Sequence, residues 1–401
     1  MATKKLPAIR FKGFDGEWGE KRLGDIGSVA MNKRIFKHQT DDKGEIPFYK
    51  IGTFGDRPDA FISKSLFDVY KSKYPYPVKG DVLISAAGSI GKTVEYLGAD
   101  EYFQDSNIVW LKHDRNAVLN EYLKNFYSVV KWDGLEGSTI KRLYNSNILR
   151  TIILLPELSE QTQIGNYFKE LDGLIGLQEQ KLEKVTNLKK AMLEKMFPKA
   201  GADVPEIRFK GFAGKWEKMS LRQTAENFYG GGTPSTSSAN YWNGNIPWIQ
   251  SSDLEENALL NLSVKKHITK LGLKHSATKL IPENSITIVT RVGVGKLCIV
   301  PFKFTTSQDF FTLSNLNVNM IFGVFAISNV IQKDLHAVQG TSIKGITKDE
   351  LLKKEIKVPS IKEQQKIGKY FKNLDDLISQ SKQKIKQLKN LKQAMLQKMF
   401  I

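Results

Sequence analysis

Two short glycine-rich turns carry the residue types most suited to chemistry on phosphate. Ala86-Ala-Gly-Ser-Ile-Gly-Lys-Thr93 fits a relaxed P-loop pattern and follows a strand-like run, Asp81-Val-Leu-Ile-Ser85. A nucleotide-binding P-loop wraps phosphate in backbone amides and opens a helix whose N-terminus faces the anion. Neither condition is met. Ala86 stands where the stricter pattern has glycine, and Val94-Glu-Tyr-Leu-Gly98 is too short and glycine-broken for the helix. The second turn, Val292-Gly-Val-Gly-Lys296, is followed by Leu297, which has no hydroxyl to hold magnesium. Both turns read instead as loops presenting Lys92 and Lys296 to phosphate groups. The other catalytic patterns are missing. Five histidines lack metal-ligand spacing. No glycine fingerprint opens a βαβ unit, no Asn-Pro-Pro-Tyr-like tetrad suits amino methylation, and no acid–lysine nuclease set recurs. The chain is expected to carry no catalytic residue, no metal and no cofactor.

Binding chemistry is better represented. Lys and Arg number 60 against 42 Asp and Glu, a formal net charge of +18. Such an excess favours polyanions, with nucleic acid the first candidate. Arg and Lys can hydrogen-bond guanine, Asn and Gln adenine, and loop glycines let backbone amides approach phosphate. In the first half of the chain the candidate DNA contacts are Lys33, Arg34, Lys50, Lys92, Lys141, Arg142 and Asn145. In the second they are Thr233 and Ser235 of Gly230-Gly-Gly-Thr-Pro-Ser235, then Gln250, Ser252, Arg291, Lys296 and Lys344. Lys92, Lys141, Lys296 and Lys344 recur at matched places and are assigned to phosphates.

The elements that hold these residues are written twice. Pro7-Ala-Ile-Arg-Phe-Lys-Gly-Phe14 returns as Pro205-Glu-Ile-Arg-Phe-Lys-Gly-Phe212. Pro156 to Phe197 returns as Pro359 to Phe400 with roughly half its positions identical. A period near 200 residues is too long for a solenoid and marks a duplicated two-part unit. The segments between the echoes diverge, yet four landmarks keep their order. Gly44-Glu-Ile-Pro-Phe48 matches Gly244-Asn-Ile-Pro-Trp248, and the two glycine turns match each other. Gln104-Asp105 matches Gln308-Asp309, and Gly137-Ser-Thr-Ile-Lys141 matches Gly340-Thr-Ser-Ile-Lys344. One fold with diverged surfaces is the expectation, with helices over Glu121–Lys131 and Val318–Asp334 and strands at 81–85 and 285–290.

The repeated stretches themselves read as long helices. Apolar residues step by four and three through Ile164, Phe168, Leu171, Ile175, Leu182, Val185 and Met192. The second copy keeps the register at Ile367, Phe371, Leu374, Ile378, Ile385, Leu388 and Met395. This is the coiled-coil pattern, and Gln178, Ser381, Lys189 and Lys392 are polar seam positions of the kind that fix register. Rods of about 38 residues span about 57 Å at 1.5 Å per residue. Matched seams favour pairing of the two rods, antiparallel, over separate packing of each on its own domain. The fold class expected is α+β: two similar mixed α/β domains separated by two long helices forming an antiparallel coiled coil, a pseudo-twofold repeat. The boundaries drawn are 1–155, 156–199, 200–358 and 359–401. Residues 361–401 carry ten Lys against three acids, so the second rod is the more cationic.

A hydrophobic content of 41% supports real cores, and Cys298 is the only cysteine, so no disulfide framework forms. The N-terminus lacks a signal-peptide core, and the most apolar stretch, 320–331, is broken by Ser328 and Asn329. A cytoplasmic protein without membrane contact is expected.

Taken together, the layout resembles the specificity subunit of type I restriction–modification enzymes. The resemblance spans the whole chain: two target-recognition domains, each followed by a long helix. It rests on Pro-x-Ile-Arg-Phe-x-Gly-Phe, Gly-Gly-Thr-Pro-Ser with Asn245-Ile-Pro-Trp248, Glu-Gln-x-x-Ile-Gly-x-Tyr-Phe at Glu160 and Glu363, and the Met-Leu-x-Lys-Met-Phe endings. It implies a non-catalytic chain that binds a split double-stranded DNA target, one half per domain. It also implies two methylation (M) subunits that use S-adenosylmethionine and two ATP- and magnesium-dependent restriction (R) subunits. The Gly-Gly-Thr-Pro-Ser segment has no sequence counterpart around Ser28–Arg34. A freestanding architectural DNA-binding protein is the alternative, and a nucleotide hydrolase a more distant one.

Overall fold

The computed structural model describes residues 6–133, 142–337 and 345–400; Lys141 and Lys344 lie outside them. Its contacts divide into two units, Met1–Gln178 with Lys384–Ile401, and Glu179–Gln383. Each long helix, Leu158–Lys195 and Ile361–Met399, is therefore shared between the units. The drawn boundaries set the helices apart from the domains, whereas the contacts join half of each helix to each domain.

In the first unit a four-stranded antiparallel sheet runs in the order Ser28–Ala30, Ile108–Lys112, Val82–Ser85, Thr93–Glu95. A second sheet places Ile46–Tyr49 between Phe61–Ile62, antiparallel, and Tyr102–Phe103, parallel. The ribbon Gly19–Arg22 with Ile152–Leu155 closes the domain. In the second unit the same three sheets recur. They are Ala225–Gly230, Phe310–Leu316, Ser285–Val289, Leu297–Val300; then Lys266–Ile268, Trp242–Ile249, Thr305–Thr306; then Glu217–Ser220 with Glu355–Val358. Strand order and direction agree sheet for sheet, so the divergent segments share one fold.

The register refines two landmarks. Ser85 N and Val289 N accept the same role, donating to the carbonyls of Lys92 and Lys296, so the glycine turns superpose as read. The Gln-Asp pairs do not. Ala86 N donates to the Asn107 carbonyl, while its counterpart Thr290 N donates to the Asp309 carbonyl. Asp309 thus stands where Asn107 does. The turn in the first unit is one residue longer, between Phe103 and Ile108, than between Thr306 and Phe310. The expected helices form at Asn120–Tyr127 and Met320–Ala337. The first ends at Tyr127, followed by Ser128, whose hydroxyl donates to the Asn125 carbonyl at 2.6 Å.

Within each unit the two helix halves run antiparallel. In the first, Phe168 lies 6.2 Å from Phe400 between ring centroids, and Lys392 reaches Asp172 at 2.6 Å. In the second, Phe197 lies 5.8 Å from Phe371, and Lys189 pairs with Asp375. Ile164, Phe168, Leu171, Ile175, Leu388 and Ile385 are buried, as are Ile367, Phe371 and Leu374. Leu182, Val185, Met192, Ile378 and Met395 are half-buried. The same seam residues also join the domain cores: Phe168 shares a cluster with Trp18 and Tyr122, and Phe371 with Trp216 and Phe322. Helix pairing and packing on the own domain are therefore not alternatives; one apolar stripe does both.

Candidate nucleic-acid interface

The repeated motifs turn out to anchor rather than to bind. Arg10 donates from both fork nitrogens to Glu160, at 2.7 Å each, and from a third to the Gly16 carbonyl at 2.6 Å. Arg208 does the same to Glu363 and Gly214 at the same distances. The carboxylates are buried, 0% and 1% exposed, and the ion pair holds each guanidinium above its ordinary pKa. A buried charge needs this bidentate partner to offset its desolvation. Gln161 and Gln364 next to them cap the chain entry, donating to Pro156 and Pro359 carbonyls at 2.9 and 2.8 Å. They accept in turn from Leu119 N and Asn319 N, the lead-ins to the domain helices. Gly165 and Gly368 then let those helices approach: a Cβ at Gly165 would meet Glu121 Cβ at 2.7 Å, and one at Gly368 would meet Phe322 N at 3.0 Å. These roles were not inferred from the sequence, although an arginine and a glutamate that recur together 150 and 155 residues apart are a signal for a pair.

The binding candidates sit elsewhere, on the loops at one end of each pair of sheets. Lys92 and Lys296 follow the glycine turns, where Gly88, Gly91, Gly293 and Gly295 take positive φ. The chain continues as strands Thr93–Glu95 and Leu297–Val300, which supplies no phosphate-facing helix. Both ammonium groups turn back into their own domain: Lys92 donates to the Phe54 carbonyl, and Lys296 to that of Leu254 at 3.1 Å. Each lysine staples its turn to the loop beyond the middle strand, so the expected outward presentation is replaced by a shared inward contact. Among the other cations of the first domain, Arg34 pairs with Asp105 at 2.8 Å while 59% exposed, and Lys50 pairs with Asp59 at 2.9 Å. Lys33 lies 5.1 Å over the Tyr74 ring, Arg142 donates to the Ser106 carbonyl at 3.2 Å, and Asn145 is exposed at the start of Asn145–Arg150. Arg34 and Arg142 thus flank one turn, Asp105-Ser106.

In the second domain Thr233 donates to Gln308, Ser235 bonds Ser237 at 2.8 Å, and Ser252 and Arg291 are exposed. Gln250 is half-buried beside them at the start of 251–253. The Gly-Gly-Thr segment has a positional counterpart after all. Tyr229 pairs with Thr312 as Ala30 pairs with Trp110, which sets Gly231, Gly232 and Thr233 on Asn32, Lys33 and Arg34. Only the second domain needs the glycines there: a Cβ at Gly231 would lie 1.8 Å from the Ser307 carbonyl oxygen, and one at Gly232 2.5 Å from Thr278 N. An open concavity of about 950 Å³ is bounded by Gly230, Arg291, Gln308, Phe310, Gly345 and Lys348. Among the described residues no carboxylate lines it. Among the described residues Arg291 has no acidic partner. A buried thiol is unsuited to chemistry, and burial pushes Cys298 up to about 12. No helix of the described residues is long and apolar enough to cross a membrane.

The arrangement has counterparts among known proteins. The family model for the type I restriction modification DNA specificity domain matches twice, over residues 15–187 and 213–390. A Haemophilus influenzae chain provisionally named a type I restriction enzyme specificity subunit is 55% identical over 152 residues, 38% of this chain and 40% of that one. A Methanocaldococcus jannaschii chain provisionally named the MjaX specificity subunit is 26% identical over 95% of this chain and 92% of its own. The EcoR124I/EcoR124II specificity subunit of Escherichia coli is 32% identical over 43% of this chain and 42% of its own. The solved S subunit of a type I system from M. genitalium shares the fold with a TM-score of 0.64 at 14% identity, covering 99% of both chains.

Proposed function

The chain belongs to the type I restriction modification DNA specificity family, and from that premise we propose that it is the non-catalytic, DNA-reading subunit of such an assembly. Each domain reads one half of a split double-stranded target. The paired helices hold the spacing and dock two methylation subunits, and two restriction subunits complete the complex. S-adenosylmethionine, ATP and magnesium belong to those partners. The observation that carries this reading is a frame kept in both copies around lining residues that differ. Buried anchors repeat residue for residue at Arg10/Arg208, Glu160/Glu363 and Gln161/Gln364. The loop residues at matched places, such as Ala87 and Arg291, do not. A strand after Lys92 where a P-loop requires a helix argues against the hydrolase.

The experiment is coexpression with a type I methylation subunit, followed by mapping of methylated sites. A bipartite asymmetric motif that appears only when this chain is present supports the proposal. Stable duplex binding with no copurifying subunit and no methylation favours the architectural alternative instead.

A further inference from the structure

One backbone bridge occurs in both domains and carries one arginine in each, but on opposite sides. Leu143 N donates to the Ala86 carbonyl at 2.8 Å, and Ile346 N donates to the Thr290 carbonyl at 2.8 Å. These matched bonds set Arg142 on Gly345, and Ala87 on Arg291. The first domain therefore presents Arg142 beside Ala87, and the second presents Arg291 beside Gly345. The exchange has a local cause. Gly345 takes φ +148°, a conformation that side-chain-bearing residues rarely adopt, so the second domain cannot readily carry its arginine on that side. Ala87 is not among the positive-φ residues, so nothing in the backbone there bars a longer side chain.

The type of side chain is kept while its point of attachment moves. A phosphate contact tolerates lysine or arginine, whereas the planar fork of arginine matches two acceptors on a guanine edge. Arg291 is exposed at the rim of a concavity with no acid among its described lining residues, with Lys348 on the same rim. Arg142 is half-buried, with one fork nitrogen on the Ser106 carbonyl, which orients the plane without neutralising the charge.

We propose that Arg142 and Arg291 are equivalent specificity determinants, each supplying the guanidinium that reads a guanine in its own domain's half of the DNA target. The proposal rests on the DNA-reading function above and names the site within it. The test uses the full chain, a random duplex pool and selection at fixed salt, with a parallel salt titration on mixed-sequence duplex. Arg291→Ala should lose roughly tenfold to hundredfold discrimination at one base pair of one half-target, with an unchanged salt slope. Arg142→Ala should do so in the other half. Arg142→Lys, which keeps the charge but loses the planar fork, should lose most of the same discrimination. Adding Ala87→Arg to Arg142→Ala should restore discrimination at that base pair.

Uniform weakening with a shallower salt dependence would mean phosphate contacts and would overturn the proposal. So would an unchanged preference in either arginine variant, or a transplant that restores nothing. An unsubstituted chain with no sequence preference would sink the DNA-reading function itself, which separates that failure from this one.

Discussion

Lys189 and Lys392 occupy matched seam positions, and each meets an aspartate at the matched place on the other helix, Asp375 and Asp172. Their surroundings differ. The Lys189–Asp375 side chains are 10% and 11% exposed, and those of Lys392–Asp172 are 25% and 40%. Removing one partner of a buried pair costs about 3–5 kcal/mol because a charge is left without compensation. An exposed pair contributes about 0.2–1 kcal/mol. Lys189→Met should therefore destabilise the second unit by the larger amount, roughly 6–20 °C in Tm at 2–4 °C per kcal/mol. Lys392→Met should cost no more than a few degrees. Hydrogen exchange localises the loss, with protection falling in 179–195 and 361–383 for the first variant. The pH dependence follows from Asp375, whose carboxyl burial pushes above its ordinary pKa despite the pull of Lys189. A carboxyl raised in the folded state is best accommodated when protonated, so its contribution is favourable at low pH and is lost as pH rises through the folded value. Without Lys189 that carboxyl rises further. The penalty of Lys189→Met should be largest at neutral pH and shrink on acidification. Lys189→Met with Asp375→Leu should recover most of the stability, since apolar replacement of both partners is nearly neutral. Equal losses in the two lysine variants, or a penalty that grows in acid, would refute the reasoning.

Other outcomes follow from the frame. Arg208→Lys keeps a charge beside Glu363 but loses the fork, and should cost about 1–3 kcal/mol by denaturant unfolding; no change would show that the bidentate geometry is idle. Gly165→Ala puts a methyl 2.7 Å from Glu121 Cβ and should destabilise the first unit by about 1–3 kcal/mol as overpacking does, while Gly173→Ala, with open space around it, should be neutral or stabilising. Exchanging 217–355 for the matching segment of a relative should change one half of the methylated motif and leave the other intact; a change in both halves would show that the domains do not read independently.

Much of the frame was legible in the sequence because periodicity survives where side chains are buried. The 4,3 spacing through Ile164 to Met192 and Ile367 to Met395 located both helices and their seam. The duplicated landmarks located one fold in two diverged segments. What the sequence hid was pairing across long separations. Arg10 lies 150 residues from Glu160, and only their joint recurrence as Arg208 and Glu363 marks the two as partners. The Gln-Asp landmark misled for a related reason. Identical dipeptides in turns of unequal length look equivalent in a string, but the ladder bonds of Asn107 and Asp309 fix a different register. Lys92 and Lys296 show another limit: a lysine after a glycine turn reads as a phosphate contact, and only the geometry reveals the carbonyl that it meets.

The division between frame and loops has an energetic basis. Glu160, Gln161 and Gly165, with Glu363, Gln364 and Gly368, are each committed to a buried bond or a close approach. Substitution there leaves a polar group unpaired or forces two elements apart, at costs of a few kcal/mol. Such positions cannot drift independently of the fold. Ala87 and Arg291 sit under no such constraint; their backbone bridge forms through Ala86 and Thr290 whatever side chain follows. Even there the freedom is bounded, because the φ of Gly345 closes one of the two attachment points in the second domain. A chain built this way can change which side of a turn supplies its arginine without disturbing the anchors beneath, and the two domains display the two solutions side by side in one sequence.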